Sequence, residues 1–287
     1  RDHCVTGVQT CALPIYRRRR GGGRKQNQSP PRPEETPTSA DGSESENVLL
    51  VLHGNKQTGE LLLGRIARLT KRLQKEFQIE TVAPDAPFDA NDDPSQQQLL
   101  LTWWHREHNN YVGLETSLEL VQQVQQRQKT EKKKIVGLLG FSQGARFVHL
   151  LTMMHANHPS KQWFPDLKFV ILVAGYDAPI PPELLSYLNN TNTNNNENNK
   201  HADKVTSPSA STINIPSLHI WGANDTLVTP DQSMQLSEHY YGNNKDTYVH
   251  PGKHHVPTKG SEMNVYVDFI HKALSSMTTT KIGRAHV

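Results

Sequence analysis

The chain has 287 residues and a formal net charge of only +3, so it lacks the strongly basic balance of a nucleic-acid-binding protein. Its basic clusters are confined to residues 17–20 and 132–134, which leaves no basic stripe along which a nucleic acid could bind. No apolar run approaches the roughly 20 residues that a membrane-spanning helix needs, so no membrane span is expected.

The two ends of the sequence look foreign to the rest. Residues 10–15 and 282–286 can be encoded by the two strands of a single DNA segment. We therefore predict that residues 1–15 and 282–287 derive from a sequencing adapter and contribute nothing to the fold. Both cysteines lie in the first of these segments, so the remainder offers no disulfide, no thiol nucleophile and no cysteine-based metal site.

Residues 16–46 are rich in Arg, Gly, Pro, Ser and Glu and almost free of aliphatic side chains. Such a segment cannot bury enough apolar surface to offset its chain entropy, so we predict a disordered tail. The four arginines at 17–20 are interpreted as a solvated basic tail, with a nuclear-import or transit-peptide remnant as the alternative. A domain without cysteine is compatible with the cytosol. We expect a cytoplasmic protein and keep a nuclear location open.

The domain itself begins with a strand and a helix. Residues 48–52 form a continuous apolar run, which is typical of a strand buried on both faces of a parallel sheet. Residues 79–83 predict a second, shorter strand. Between the two, apolar residues at helical spacing predict one amphipathic helix: Leu62, Ile66, Leu69 and Leu73.

The same alternation continues to the end of the domain. A polar loop precedes a helix predicted over 114–128, and residues 263–274 predict a closing helix. Further strands are predicted at 135–139, 169–175, 218–222 and 247–250. Strands that alternate with helices predict an α/β fold, with an open, mostly parallel sheet flanked by helices in a single domain over 47–276.

Residues 189–211 interrupt this pattern. Nearly all of 189–199 is Asn or Thr, and the polar character continues to residue 211. A segment of this composition has no means of packing a core, so we predict a disordered surface insertion. A partner-binding arm is the less favoured alternative.

The third predicted apolar strand ends in Gly140-Phe141-Ser142-Gln143-Gly144, and a helix-like segment follows. This is the strand–turn–helix context of a nucleophile elbow. The sharp turn places Ser142 in a positive-φ conformation, and side chains two residues before and after it would collide, so both positions are glycine. The hydroxyl then lies over a helix N-terminus, whose N–H groups favour negative charge. An inert serine in a Gly-rich turn is the alternative.

A catalytic triad is predicted from the residues that follow the strands. Active sites of open α/β sheets gather at the carboxyl ends of the strands. Ser142, Asp225 and His254 each follow a predicted strand, in the chain order that this fold class uses. His254 would take the proton of Ser142, and Asp225 would hold the imidazole in the right tautomer. The backbone N–H groups of Asn55 and Gln143 would stabilise the oxyanion.

Several of these assignments have rivals. His250 and His255 compete with His254 for the role of base, and Asp225 taken alone could be a turn or cap residue. His53 is interpreted as a buried residue that organises its loop. The three histidines near residue 254 lack the carboxylate or cysteine spacing of a metal site, so no metal and no cofactor is expected.

An ordered set of motifs runs through nearly all of residues 47–274. They are Leu52-His53-Gly54, Gln57-Thr58-Gly59-Glu60, Asp85-Ala86-Pro87, Trp103-Trp104, and the stretches 111–118, 140–145, 216–220 and 252–257. Together these motifs resemble the FSH family of serine hydrolases. The resemblance implies a compact α/β-hydrolase fold and esterase activity on acyl or alkyl esters. It also implies that the catalytic histidine is His254, with Lys253 where the family pattern has a second Gly.

The resemblance also places the aromatic loop before residue 114 near the acyl site. We therefore predict that Trp103, Trp104 and Tyr111 cap the core, line a pocket or do both, and that at least one tryptophan lines an apolar acyl pocket. Adjacent residues of an extended segment point in opposite directions. One tryptophan should therefore belong to the core and the other to the pocket.

The sequence thus predicts a serine carboxylesterase or thioesterase that acts on a small-molecule ester without a cofactor. The nearest alternative enzyme is an acyl-protein thioesterase or lysophospholipase, which shares the Gly-Phe-Ser-Gln-Gly elbow. An alternative from another class is a catalytically inactive hydrolase fold that serves as a binding module. The sequence carries no signal for an oligomeric state.

Overall fold

The chain is described by a computed structural model over residues 45–91, 98–108, 110–157, 163–182, 184 and 213–282. The predicted insertion at 189–211 and the predicted adapter segments, apart from Ile282, lie outside these residues. So does the predicted tail up to residue 44. Its last two residues are described, and the carbonyl of Glu46 accepts the N–H of Lys134 at 2.7 Å.

Ten strands are found in the described residues, and six of them form one parallel sheet. In chain order the ten are β1 (Asn47–Leu52), β2 (Ile79–Val82), β3 (Phe88–Asp89), β4 (Leu101–Thr102), β5 (His105–Glu107), β6 (Asn110–Val112), β7 (Lys134–Phe141), β8 (Phe169–Val173), β9 (Ser217–Gly222) and β10 (Lys245–His250). The sheet order is β10-β9-β8-β7-β1-β2, with all neighbouring strands parallel. The open parallel sheet predicted from the sequence is confirmed.

Helices cover both faces of this sheet. They are α1 (Gly59–Arg65), α2 (Ala67–Phe77), α3 (Leu114–Thr130), α4 (Gln143–Asn157), α5 (Pro230–Glu238) and α6 (Glu262–Ile282). In the part of the chain that the structure describes, none of the helices is long and apolar enough to cross a lipid bilayer.

The alternating side chains of β1 explain why its sequence is continuously apolar. Val48, Leu50 and Leu52 join one buried cluster together with residues of α3 and α4. Leu49 and Val51 join a second cluster on the other face, with residues of α1, α2 and α6. All five side chains are fully buried, as expected for a strand of a parallel sheet covered on both faces.

The single amphipathic helix predicted around Leu62 to Leu73 is two helices in the structure. Ile66, with φ −100° and ψ 14°, leaves the regular helical conformation between α1 and α2. Helical hydrogen bonds continue across this break, because the N–H of Ile66 donates to Leu62 O and the N–H of Thr70 donates to Ile66 O, both at 3.0 Å. All four apolar residues that predicted the helix are fully buried. The predicted burial is therefore confirmed, whereas the uninterrupted helix is wrong.

The segment predicted as a polar loop contains two small antiparallel pairs. β3 pairs with β4, and β5 pairs with β6. Strands of two or three residues are too short to show the period-two pattern that reveals a strand in a sequence. Their position matters for function, because they carry the Trp103-Trp104 pair across the carboxyl end of the main sheet.

Candidate active site

The turn between β7 and α4 has the predicted nucleophile-elbow conformation. Ser142 has a φ of 54°, in the left-handed region that costs free energy for a residue with a side chain. Its N–H donates to the carbonyl of Val173 on the neighbouring strand at 2.9 Å. Its carbonyl accepts the N–H of Arg146 at 3.0 Å, which starts α4. The strained turn is thus fixed from the sheet side and from the helix side.

The two glycines of the elbow are required by close backbone approaches. A Cβ added at Gly140 would lie 2.3 Å from the carbonyl oxygen of Gly144. A Cβ added at Gly144 would lie 2.1 Å from the carbonyl oxygen of Leu52, at the end of β1. Glycine at both positions therefore lets α4 begin directly beside the loop that follows β1.

His254 lies between Ser142 and Asp225, within hydrogen-bond distance of both. Its Nε2 is 2.9 Å from Ser142 Oγ, and its Nδ1 is 2.7 Å from Asp225 Oδ2. The Asp225 side chain is fully buried, and its Oδ1 accepts the N–H groups of Leu227 and Val228 at 2.9 and 3.0 Å. A carboxylate held in this way can only accept, so Nδ1–H donates to it and the Nε2 lone pair faces the serine.

The rival histidines do not approach Ser142. The ring of His255 packs edge-on against the ring of His250, with centroids 4.6 Å apart. His250 is buried, and its Nδ1 accepts the N–H of Gly252 at 3.2 Å. Burial lowers the pKa of His250, which agrees with an acceptor role. The ring of His254 instead packs against Phe141, with centroids 4.9 Å apart.

The predicted oxyanion donors, the backbone N–H groups of Asn55 and Gln143, belong to residues that line one cavity with Ser142. Gln143 is the first residue of α4, where a helix has N–H groups without a partner inside the helix. No described residue accepts either N–H. Both donors therefore remain available for a ligand.

His53 holds the loop that carries Asn55. Its Nε2 accepts the N–H of Ala86 at 3.0 Å, so its proton is on Nδ1 and is donated to Gly54 O at 2.8 Å. The indole N–H of Trp103 donates to the carbonyl of His53 at 2.8 Å. Burial lowers the pKa of His53 and favours this neutral form. These contacts support the interpretation of His53 as an organiser of its loop.

The Gln143 side chain has a role that sequence reasoning missed. Its Oε1 accepts the N–H of Trp103 at 3.1 Å, and its Nε2 donates to the carbonyl of Trp104 at 3.0 Å. The amide thereby binds the extended segment after β4 to the elbow. No local pattern could reveal this contact, because its partners are about 40 residues away in the chain.

A cavity of about 630 Å³ opens over Ser142 and His254. Of the predicted pocket residues, Trp104 lines it, whereas Trp103 does not. Tyr111 packs edge-on against Trp104, with ring centroids 4.9 Å apart, and does not line the cavity. Both tryptophans belong to one buried cluster and pack against Phe147, so Trp104 is a core residue as well as a cavity residue.

The same cavity is also lined by residues that the sequence did not single out, among them Leu227, Arg106 and Tyr176. Leu227 is 75% exposed and lies two residues after Asp225. Arg106, from β5, contributes a cation. Tyr176 contributes a phenol, whose pKa burial raises to about 12, so its hydroxyl stays protonated at neutral pH. A large apolar residue in an otherwise polar turn was the available signal for Leu227.

Comparison with known proteins identifies the family. A family model described as serine hydrolase (FSH1) matches residues 43–266, which is most of the chain. The chain belongs to the FSH1 serine hydrolase family. The resemblance found in the sequence motifs is therefore confirmed.

Several relatives of this FSH1 hydrolase are named esterases. Esterase AAEL000016 of Aedes aegypti is 27% identical over 257 residues, covering 83% of this chain and 80% of the relative. Esterase OVCA2 of Xenopus tropicalis is 29% identical over 254 residues, covering 83% of this chain and 99% of the relative. The chain is accordingly an enzyme that hydrolyses ester bonds.

The fold has a solved counterpart in the crystal structure of esterase PE8. The two share a TM-score of 0.55 at 18% identity, with 82% of this chain and 95% of the other covered. At this identity the likeness establishes the fold alone. The α/β-hydrolase fold expected from the sequence is thus confirmed for this FSH1 hydrolase.

Proposed function

We propose that this FSH1 hydrolase cleaves carboxylic esters or thioesters through an acyl-enzyme intermediate formed on Ser142. His254 acts first as general base and then as general acid, and Asp225 orients it. The observation that carries the proposal is the unbroken hydrogen-bond chain from Ser142 Oγ through the imidazole of His254 to the buried carboxylate of Asp225. This chain ends at the wall of the cavity, where a substrate carbonyl has access to the hydroxyl.

Each proton has a defined path in this mechanism. As Ser142 Oγ attacks the carbonyl carbon, its proton moves to Nε2 of His254, and Asp225 stabilises the imidazolium. The developing oxyanion accepts hydrogen bonds from the N–H groups of Asn55 and Gln143. His254 then donates the proton to the departing alkoxide or thiolate. A water molecule repeats the sequence on the acyl-enzyme, releasing the carboxylic acid and free Ser142.

The cavity can accept a small-molecule ester whose acyl group contacts its apolar lining. Trp104 and Leu227 belong to this lining, in the same cavity as Ser142. Arg106 and Tyr176 supply polar groups that can orient the rest of a substrate. Thioesters remain an alternative substrate class, because a thiolate leaves from the same tetrahedral intermediate.

A fluorophosphonate probe together with p-nitrophenyl and thioester substrates tests the proposal. The wild type should become labelled and turn over substrate, whereas Ser142→Ala should lose both activities and keep its unfolding midpoint. Ser261→Ala, which removes an exposed serine, is the matched control and should label normally. Wild-type turnover by Ser142→Ala would refute the assignment. A folded wild type that never labels would instead favour the inactive binding module.

A further inference from the structure

Outside the active site, His149, Asp177 and His239 converge from three different elements. One ligand atom from each residue lies within 4.8 Å of the other two. His149 belongs to α4, Asp177 follows β8, and His239 follows α5. We propose that these three side chains form a binding site for a divalent transition-metal ion of the zinc class. Two imidazoles and one carboxylate are a donor set that suits zinc, cobalt and nickel.

A contact with Tyr240 occupies one ring nitrogen of His149. Its Nδ1 lies 3.2 Å from the Tyr240 hydroxyl, so Nε2 is the nitrogen that would bind the ion. An oxygen partner at the other nitrogen of a ligating imidazole is a regular feature of protein metal sites.

Asp177 is held in place by neighbouring donors. Its Oδ1 accepts the N–H of Ala178 at 2.9 Å and lies 3.3 Å from both Arg146 Nη1 and His239 Nε2. The guanidinium of Arg146 also opposes a second cation. We therefore expect an exchangeable ion rather than one bound as tightly as in a structural zinc site.

An ion can reach this cluster from solvent and would bridge three elements there. The side chains of Asp177 and His239 are each 33% exposed, whereas His149 is buried. Three protein ligands leave one tetrahedral position for water. Since Asp177 adjoins Tyr176 and its N–H donates to Gln232 O at 3.4 Å, the bridge would also stiffen a wall of the cavity.

Cobalt(II) absorption spectroscopy tests the site without relying on activity. Metal-depleted protein is titrated with Co²⁺ at pH 7.5, and the visible absorption of tetrahedral cobalt is followed to saturation. We expect one equivalent to bind to the wild type, and Zn²⁺ to displace it. Thermal unfolding with and without Zn²⁺ provides the second readout, because a ligand that binds only the folded state raises the unfolding temperature.

Variants assign the ligands. His239→Ala and Asp177→Asn should lose the cobalt band and the Zn²⁺-dependent shift in Tm. His155→Ala, a control on the same helix α4, should keep both. His254→Ala should also keep both, which excludes the active-site imidazole as the ligand. The proposal is overturned if the wild type shows no tetrahedral band, if either cluster variant retains it, or if His254→Ala loses it.

Discussion

At the scale of single residues, the hydrogen bonds of Asp225 allow the effect of Asp225→Asn on catalysis to be predicted. An asparagine can still accept the N–H groups of Leu227 and Val228 through its oxygen, as Oδ1 of Asp225 does. Its NH₂ group then faces His254 and stabilises the tautomer whose proton points at Ser142 instead of the lone pair. We expect kcat to fall about 10⁴-fold, as in the serine-protease triad, with little change in Tm. A loss below tenfold would mean that another carboxylate orients the base.

The neighbouring histidines provide a matched pair at the same scale. His254 Nε2 lies 2.9 Å from Ser142 Oγ, whereas the ring of His255 packs on His250. His254→Ala should therefore reduce kcat by several orders of magnitude, and His255→Ala should change it little. Steady-state kinetics on one p-nitrophenyl ester separates the two. The reverse result would move the general base by one residue.

At the scale of elements, the segment between β4 and β5 couples the pocket to the nucleophile elbow. The amide of Gln143 binds the backbone of this segment, and Trp103 donates from it to the loop of His53. The segment therefore fixes the positions of the loop that carries Asn55 and of the cavity wall at Trp104 relative to the elbow. Its two tryptophans should respond differently to removal.

Trp103→Ala should cost stability, and Trp104→Ala should cost stability and also alter acyl-chain selection. Trp103 is fully buried and Trp104 is 2% exposed, so the loss of either should lower the free energy of unfolding by about 3–5 kcal/mol. Trp104 lines the cavity, where each methylene held is worth roughly 0.8 kcal/mol, so a four-carbon difference can change kcat/KM by about two orders of magnitude. Urea unfolding and kcat/KM for C4 and C8 esters measure the two effects. Wild-type chain-length profiles in both variants would place the acyl pocket elsewhere.

At the scale of the whole molecule, buried neutral histidines make stability depend on pH. Burial lowers the pKa of His219 to about 3 and that of His149 well below its ordinary value. The unfolded chain binds these protons near pH 6.5 and the folded chain does not. Their stabilising contribution is therefore complete above pH 7 and is lost as the pH falls from 6.5 toward 3.

We accordingly expect the free energy of unfolding to decrease from pH 7.5 to pH 5. Each such histidine contributes at most about 1.4 kcal/mol per pH unit to the slope. Urea unfolding at several pH values measures this slope. His219→Gln should reduce this slope, because it removes one of the groups that bind a proton only in the unfolded chain. In the folded chain His219 contacts Tyr240 and Ser217. An unchanged slope in this variant would contradict the assignment.

Much of this hydrolase was determined by its sequence alone. The elbow of residues 140–144 can be predicted because the close contact that requires glycine lies between residues four apart in the chain. The structure gives Ser142 the expected positive φ. The sheet is visible because strands covered on both faces must be continuously apolar. The edge at which Ser142, Asp225 and His254 meet follows from the common direction of parallel strands.

Other features were decided only by the tertiary structure. No periodic pattern in the sequence indicates these features. They are the contacts of the Gln143 amide, the break at Ile66, the cavity position of Arg106 and the convergence of His149 with His239. From the sequence, only the family resemblance favoured His254 over His250 and His255. In the structure the three histidines differ in their contacts, because only His254 lies within hydrogen-bond distance of Ser142. The physical reason is common to all of them. Periodicity and turn chemistry act over a few residues, while a side chain's partners, its burial and hence its pKa depend on elements that meet only when the sheet assembles.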